Sequence, residues 1–466
     1  MKQLIVFTPK EVDIDKILKE NELDLNADYL KHFISYVLNG LARFVEHYDK
    51  KTGEYIRLRK KYVKLNSKRD VLNKNIHKKH ADFLVSNFEP FTYRLSRTTK
   101  GKKLISILYR KPYVEKKKSY SYRINPNYSK QELKVNYIKS SSFRTKIREY
   151  STQIPPVLKT GKYRFLNKYF ENEKLDIDFD KALQLCNKRF HEQKDYGKYL
   201  NEIYKIVDLK NKIYRVYYHE DTDARLHTNI TMLNKVYRKY LTYNNKKLVE
   251  VDLSNSIIYF LTMLICNNNI TDNNHLNNNI LLLKFQESLK SLSIKEIDLV
   301  KKIVVNGEFY DYFIDDIVEY FEYDELKVLY NKDNEENYSG SRTEIRKIAK
   351  KNILAMIFAD PRSKNYTKFR KIFKNKFPEL LAVLNRFKIE NGKKQLSHLL
   401  FQIESYYVLD VVARDFNKKY SKTAPIFSLH DCLITTEDFA SELKKTFEVV
   451  LNRELANKPM TKITKW

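Results

Sequence analysis

The sequence has few of the residues that build disulfide frameworks, zinc sites and phosphate-binding loops. It contains 3 cysteines, 8 glycines and 1 tryptophan among 466 residues. Cys186, Cys266 and Cys432 are too far apart for any zinc-ligand spacing, and we expect them to be reduced thiols in a cytoplasmic protein. No Gly-x4-Gly-Lys-Ser/Thr motif occurs, which excludes an ATPase of the P-loop class. A bound nucleotide would therefore be held by side chains and metal ions.

Long apolar runs are also absent. The apolar start, Met1 to Pro9, is too short for a signal peptide, and no later run is long enough to span a bilayer. We therefore expect no membrane segment. The length suits two to four packed subdomains with a large core.

Basic charge and aromatic rings are abundant. Lysine and arginine number 88 against 58 acidic residues, which gives a formal net charge of +30. A polyanion is the natural partner of such a chain, although a solvated lysine-rich surface has the same composition. The 35 tyrosines and 26 phenylalanines favour nucleic acid, because aromatic rings stack on bases while cations contact phosphates.

Two aspartates occupy the ends of predicted strands. The run from Leu248 to Leu253 is apolar and β-branched apart from its acids, and it delivers Asp252 to the end of a buried strand. The segment from Pro425 to Thr436 predicts a hairpin with His430 and Asp431 at its tip. Two carboxylates held together on a rigid sheet suit Mg²⁺, which prefers oxygen ligands. The pattern therefore predicts a site for two Mg²⁺ ions of the kind used in phosphoryl or nucleotidyl transfer.

A cationic helix is predicted between the two acids. Good helix formers run without interruption from Arg342 to Phe358. Arg346, Lys350, Leu354 and Phe358 recur at intervals of four residues and so share one face. Its cationic part suits a triphosphate, and its apolar part suits a base and sugar.

The remaining chain is predicted to be mainly helical. A cationic stretch from Arg57 to His80 fits a duplex contact and a solvated helix face equally well. Polar loops are expected at 267–279, which is rich in asparagine, and at 333–337, which is acidic. The predicted division is a basic helical domain at 1–123, a thumb-like or template-binding helical region at 124–220, a palm in two parts at 221–265 and 411–466, and fingers with inserted loops at 266–410.

These elements, in this order, resemble the DNA polymerase I (family A) superfamily, which includes single-subunit phage-type RNA polymerases. Asp252-Leu253-Ser254-Asn255 is similar to the first palm motif, and His430-Asp431 to the His-Asp of the third. The spacing Arg346-x3-Lys350-x7-Phe358 resembles the nucleotide-binding helix of the fingers. Arg225-Leu226-His227-Thr228 is similar to the region before the first motif, and Gln402, at the start of a helix from Ile403 to Ala413, falls where the family has a glutamine near the template. The resemblance covers residues 221–466.

The resemblance implies an α+β fold of right-hand polymerase architecture, with a small antiparallel palm sheet, helical fingers and a largely helical N-terminal region. It implies that Asp252 and Asp431 are catalytic metal ligands and that Arg346 and Lys350 bind the triphosphate. Lys350 would also protonate the leaving pyrophosphate. Leu354 and Phe358 would complete the nucleotide site, and Arg225, Gln402 and His430 would contact primer or template.

Several positions depart from the family pattern. Ile257 replaces the glutamate that excludes ribose in the bacterial enzymes, and Ala224 replaces the glycine before the early arginine. Leu354 replaces an aromatic residue, and Phe358, followed by Ala359, replaces a tyrosine followed by glycine. These changes leave the choice between deoxyribose and ribose open.

The sequence thus predicts a template-dependent nucleotidyltransferase with nucleic acid and nucleoside triphosphates as partners. A family A type DNA polymerase without proofreading is favoured, because no Asp-x-Glu exonuclease motif precedes the palm, and the size suits replication of a mobile element. The alternatives are a single-subunit RNA polymerase or primase, and a catalytically inactive nucleic-acid-binding protein on a polymerase scaffold.

Overall fold

The structure is a computed structural model of the chain. It describes residues 3–20, 22, 24–42, 44–49, 54–59, 63–64, 85–86, 107–111, 121–266, 279–332, 338–455 and 459–466. The chain divides into two compact units. The first comprises Met1–Tyr217 and His227–Lys247, and the second comprises Tyr218–Leu226 and Leu248–Trp466. Among the described residues, every helix is too short or too polar to cross a bilayer.

The first unit mixes short strands with helices. Its described strands are Leu4–Pro9, Phe44–Asp49, Glu54–Arg59, Val63–Lys64, Val85–Ser86, Leu108–Lys111, Ser121–Ile124, Leu133–Ile138, Leu175–Ile177 and Leu241–Tyr243. Its described helices are Ile14–Glu20, Ala27–Leu41, Ser141–Ser151, Pro156–Lys159, Arg164–Glu171, Phe179–Gln193, Tyr196–Lys210, Asn229–Met232 and Lys235–Arg238, with a 3₁₀ turn at Pro126–Tyr128.

A buried amide joins an early strand to a late helix end in this unit. Leu4–Pro9 pairs antiparallel with Leu133–Ile138. The side chain of Asn211 donates to the carbonyl of Ile5 at 2.7 Å and accepts from the amide of Ile5 at 2.8 Å. Both backbone groups of Ile5 are thereby satisfied away from water, which is why a polar residue is accommodated at this buried position.

The prediction that residues 1–123 are helical is wrong in part. Helices occur at Ile14–Glu20 and Ala27–Leu41, but Phe44–Asp49 and Glu54–Arg59 form an antiparallel pair. In Glu54–Arg59 the cations are interspersed with tyrosine, isoleucine and leucine, residues with high strand propensity. The stretch from Arg57 to His80 was predicted to be either a duplex contact or a solvated helix face. The structure describes only residues 57–59 and 63–64 of it, all in strands.

The second unit contains a small antiparallel sheet and many helices. The described strands are Lys246–Leu253, whose residues from Leu248 onward belong to this unit, Phe427–Leu429, Cys432–Thr436 and Thr461–Lys465. The described helices are Ser256–Cys266, Ile280–Leu289, Ile294–Val305, Ile314–Tyr320, Tyr323–Asn331, Arg342–Phe358, Thr367–Lys376, Pro378–Asn391, Gln395–Ser405, the π-helical Tyr406–Ala413, Arg414–Tyr420 and Ala440–Leu455, with 3₁₀ turns at Asp311–Phe313 and Glu437–Phe439.

We call Lys246–Leu253 the central strand, because it pairs with Cys432–Thr436 on one side and Thr461–Lys465 on the other. The hairpin predicted around Asp431 forms, with Phe427–Leu429 antiparallel to Cys432–Thr436. The chain after the central strand becomes the helix Ser256–Cys266, which is buried for nearly its whole length, as its apolar sequence predicted. The α+β class with a small antiparallel sheet is therefore confirmed, and the polymerase architecture stays a prediction.

All nine predicted site residues lie in the second unit. Short strands at Tyr217–Tyr218 and Leu226–His227 flank the loop that carries Arg225. Of the two predicted polar loops, 267–279 is described only at Asn279, and 333–337 lies outside the described residues.

Candidate metal centre and nucleotide-binding helix

The two aspartates are brought together by strand register. Asp252 lies near the end of the central strand, directly opposite Cys432, and Cys432 follows Asp431 at the hairpin turn. A carboxylate oxygen of each aspartate and the sulfur of Cys432 lie within 4.8 Å of one another. The pairing of the central strand with the hairpin thus converts a separation of 179 positions in the chain into a compact cluster.

Both turns beside this cluster contain left-handed backbone. His430, at the hairpin tip, has φ of 56°, and Asn255, just beyond the central strand, also has φ of 56°. Asparagine tolerates this conformation well and histidine moderately, whereas most other side chains are disfavoured. Non-glycine residues in this region cluster at functional sites, where the surrounding structure compensates for their strain.

The donor set suits a divalent cation. Asp252 supplies one carboxylate from the central strand, and Asp431 supplies another from the adjoining hairpin turn. Carboxylate oxygens are the ligands that a hard cation prefers. Cys432 donates a hydrogen bond through Sγ to Asp252 Oδ1 at 3.0 Å and lies 3.7 Å from Asp431 Oδ1. Burial and the two neighbouring carboxylates raise the pKa of the Cys432 thiol, so it acts as a proton donor beside the carboxylates.

Electrostatics at the cluster favour added positive charge. Burial, followed by repulsion from Asp431, raises the pKa of Asp252. The hydrogen bond from Cys432 and the ammonium of Lys350 act in the opposite direction. Two carboxylates that destabilise one another at this range are stabilised by a cation between them.

The cationic helix forms with the predicted bounds, Arg342–Phe358. A capping box begins it, because the Ser341 hydroxyl accepts from the Glu344 amide and the Glu344 carboxylate accepts from the Ser341 amide. Its other end is held by Lys388, whose buried ammonium donates to the carbonyls of Ile357 at 2.7 Å and Ala359 at 2.9 Å. Both ends of the helix are therefore satisfied by side chains.

The predicted nucleotide-binding face is the less buried face of this helix. Lys350 is exposed, while Arg346, Leu354 and Phe358 are partly buried. Lys350 lies close enough to Asp252 for its charge to lower the pKa of that carboxyl. Arg346 is paired through Nε with Asp311 Oδ2 at 2.7 Å. A guanidinium has five N–H donors, so this single contact leaves Arg346 able to bind an anion as well.

A chain of ring contacts connects the end of the cationic helix to the predicted primer or template residue Arg225. The Phe358 ring packs edge-on against Phe401 with centroids 5.5 Å apart, and the Arg225 guanidinium lies 4.2 Å from the Phe401 ring centre. Arg225 also pairs with the buried carboxylate of Glu404. Its side chain is only 16% exposed, so most of its contacts are internal.

Gln402 holds the loop that carries Arg225. Its amide donates to the carbonyls of Glu220 at 3.2 Å and Thr222 at 3.1 Å and accepts from Asn279 at 3.3 Å. The predicted start of its helix was wrong, since the helix begins at Gln395 and Gln402 lies within it. The apolar spacing of the buried residues Leu396, Leu399, Leu400 and Ile403 extends the helix upstream.

Sequence reasoning missed three side chains of this site: Cys432, Ser256 and Glu404. The Ser256 hydroxyl lies 2.7 Å from Glu404 Oε2 and 3.1 Å from Asp431 Oδ2. In the sequence, Glu404 is marked only as a carboxylate inside an apolar run. Cys432 is a thiol placed opposite Asp252 by register, which no local pattern of the sequence indicates.

Comparison with known proteins gave no match, either to a family model or to a curated protein.

Proposed function

We propose that this protein is a template-dependent nucleotidyltransferase. The proposal is supported above all by the convergence of Asp252, near the end of the central strand, with Asp431 at the adjoining hairpin turn. Lys350 of the cationic helix acts electrostatically on the same site. Two adjoining carboxylates and a nearby cationic face are the elements needed to bind a metal-complexed triphosphate.

In this proposal, Asp252 and Asp431 would hold two Mg²⁺ ions. When bound, the ions would supply the positive charge that lowers the pKa of an attacking 3′-hydroxyl and neutralises a triphosphate. The 3′-hydroxyl gives its proton to solvent water as its oxygen forms a bond to the α-phosphorus, and the bond from that phosphorus to the bridging oxygen of pyrophosphate breaks in line. Arg346 and Lys350 bind the β- and γ-phosphates, and Lys350 gives a proton to the departing pyrophosphate. Leu354 and Phe358 contact the incoming base and sugar.

The partners in this proposal are a primer and template, contacted by Arg225, Gln402 and His430. For Gln402 and Arg225 the contact is indirect in part, because their observed bonds hold the loop 220–225 in place. DNA synthesis is the favoured activity, and synthesis of RNA by a primase or RNA polymerase is the alternative within the same reaction class.

The test is incorporation of labelled deoxynucleotides and ribonucleotides with Mg²⁺ on primed and unprimed DNA and RNA. Asp431→Asn is the inactivating variant, and Asp298→Asn, the same change at an exposed position, is the matched control. We expect incorporation by the wild type and the control and a loss of roughly 100-fold or more in Asp431→Asn, because the metal ions it would hold contribute several kcal/mol of transition-state stabilisation. The preferred sugar and the primer requirement then distinguish DNA polymerase from primase.

Failure to incorporate any nucleotide on any template, together with nucleic-acid binding that is equal in the wild type and Asp431→Asn, would contradict the proposal. That result would instead support a binding protein on this scaffold.

A further inference from the structure

Glu404 is a buried carboxylate beside the candidate metal centre that the sequence did not predict as a site residue. Its side chain is 0% exposed, and it accepts a hydrogen bond from Arg225 on one oxygen while the other faces Ser256 at 2.7 Å. A carboxylate is rarely kept in such a place without partners that compensate for its desolvation. Each of its oxygens has such a partner here.

Ser256 links Glu404 to the candidate metal centre. Its hydroxyl lies 3.1 Å from Asp431 Oδ2. A hydroxyl has one hydrogen, so it can donate to only one of the two carboxylates at a time. Both contacts are satisfied when Glu404 carries a proton and donates to Ser256, and Ser256 donates to Asp431. Burial raises the pKa of Glu404 to about 7, which makes this protonated form accessible near neutral pH.

The Glu404 oxygen that does not face Ser256 is also held in place. Arg225 is held between the Glu404 carboxylate and the face of Phe401, and Phe401 in turn contacts Phe358. Ser405, the next residue, donates to the carbonyl of Ala224. The helix Gln395–Ser405 therefore fixes Glu404 from its backbone, its neighbour and its ion pair.

We propose that Glu404 is a positioning residue that orients the Asp431 carboxylate through the Ser256 hydroxyl. This inference rests on the proposed function, because it assumes that Asp431 is a metal ligand. Groups that hydrogen-bond to a metal ligand fix its orientation, and their removal commonly weakens metal binding or activity by 10- to 100-fold.

The experiment measures Mn²⁺ binding by electron paramagnetic resonance in the full chain, without nucleotide. We expect Ser256→Ala to bind Mn²⁺ about 10-fold more weakly than the wild type. Glu404→Leu should show a similar loss, whereas Glu404→Gln, whose amide can donate to Ser256 and accept from Arg225, should stay within about 3-fold of the wild type. Thr262→Ala is the control, because it removes a buried hydroxyl of the same helix that donates to the Ile258 carbonyl of its own helix at 2.8 Å.

A second readout separates positioning from a general role in folding. Incorporation by Ser256→Ala should be restored towards the wild-type rate by raised Mg²⁺, whereas damage to the fold would not respond to the metal. Glu404→Leu leaves Arg225 without its buried partner and is the variant most prone to misfold. Ser256→Ala removes one oxygen atom and is therefore the decisive variant.

Wild-type Mn²⁺ affinity in a folded Ser256→Ala, or no Mn²⁺ binding by the wild type, would overturn the inference. Failure of this inference can be distinguished from failure of the proposed nucleotidyltransferase function. A protein that never incorporates nucleotides but loses Mn²⁺ affinity in Ser256→Ala retains the positioning role. A protein that polymerises with unchanged Mn²⁺ affinity in Ser256→Ala lacks it.

Discussion

Replacing Asp252 by asparagine should stabilise the protein when no metal is present. Asp252 and Asp431 have ligand oxygens within 4.8 Å of one another, and the pKa of Asp252 is raised by burial and then by this neighbour. Asparagine removes the charge, keeps the shape and can still accept the hydrogen bond from Cys432. The variant therefore loses a repulsion and retains the packing.

The size of this stabilisation follows from the distance between the Asp252 and Asp431 carboxylates. Two unit charges about 5 Å apart repel by roughly 3 kcal/mol at an effective dielectric constant near 20. Attraction of Asp252 to Lys350 and partial exposure to solvent reduce the net gain. We therefore expect Asp252→Asn to raise the free energy of unfolding by about 1–2 kcal/mol, which corresponds to an increase in Tm of about 2–8 °C for a domain of 150–250 residues.

Saturating Mg²⁺ should reverse the order of stability. A cation present at 100 times its Kd adds about 2.7 kcal/mol to the protein that binds it. The wild type has both carboxylates and should gain this amount, whereas Asp252→Asn has one and should gain little. The variant is then expected to be more stable in EDTA and less stable in Mg²⁺.

Thermal unfolding of the wild type, Asp252→Asn and Asp298→Asn, each in EDTA and in Mg²⁺, measures this crossover. Asp298 is exposed, so its substitution should leave Tm unchanged relative to the wild type in both conditions. The reasoning is refuted if Asp252→Asn unfolds at or below the wild-type temperature in EDTA, or if Mg²⁺ raises the Tm of both by the same amount.

Three further predictions concern the surroundings of the site. Because burial raises the pKa of Glu404 to about 7, the folded protein keeps a proton that the unfolded chain releases, and the free energy of unfolding should fall by roughly 3 kcal/mol as pH rises from about 4 to 7. Urea titrations at several pH values should show that Glu404→Gln lacks this fall. The same pH dependence in Glu404→Gln and the wild type would contradict the prediction. Lys388→Met removes two buried hydrogen bonds at the end of the cationic helix. It should lower the free energy of unfolding by about 1–3 kcal/mol in urea titrations. Unchanged stability in Lys388→Met would show that Lys388 does not anchor the helix end. Ala224 has φ of 50°, so Ala224→Gly should raise stability by up to about 1 kcal/mol, and a lower Tm would exclude strain at this position.

The local sequence pattern was sufficient to predict the secondary-structure elements that carry the predicted acids and cations. The run ending at Asp252 forms a strand, and the helix Arg342–Phe358 has the predicted bounds. Both are long, strongly patterned segments with clear end signals, so their structure depends mainly on neighbouring residues.

Short strands near the start of the chain could not be assigned in this way. Phe44–Asp49 and Glu54–Arg59 are each six residues long, and their stability comes from pairing with one another. Their two-residue period is too brief to distinguish them from the helix predicted for this region. The early start of the helix at Gln395 was missed for a related reason, because its apolar period becomes visible only when residues upstream of Gln402 are included.

The sequence by itself determined that Asp252 lies near the end of a strand, that Asp431 lies at a hairpin tip and that cations share one face of a helix. Only the tertiary structure placed Cys432 opposite Asp252 and connected Glu404 to Asp431 through Ser256. The physical reason is that strand and helix periodicity depend on adjacent residues, whereas a hydrogen bond between residues 148 or 175 positions apart depends on how the whole unit packs.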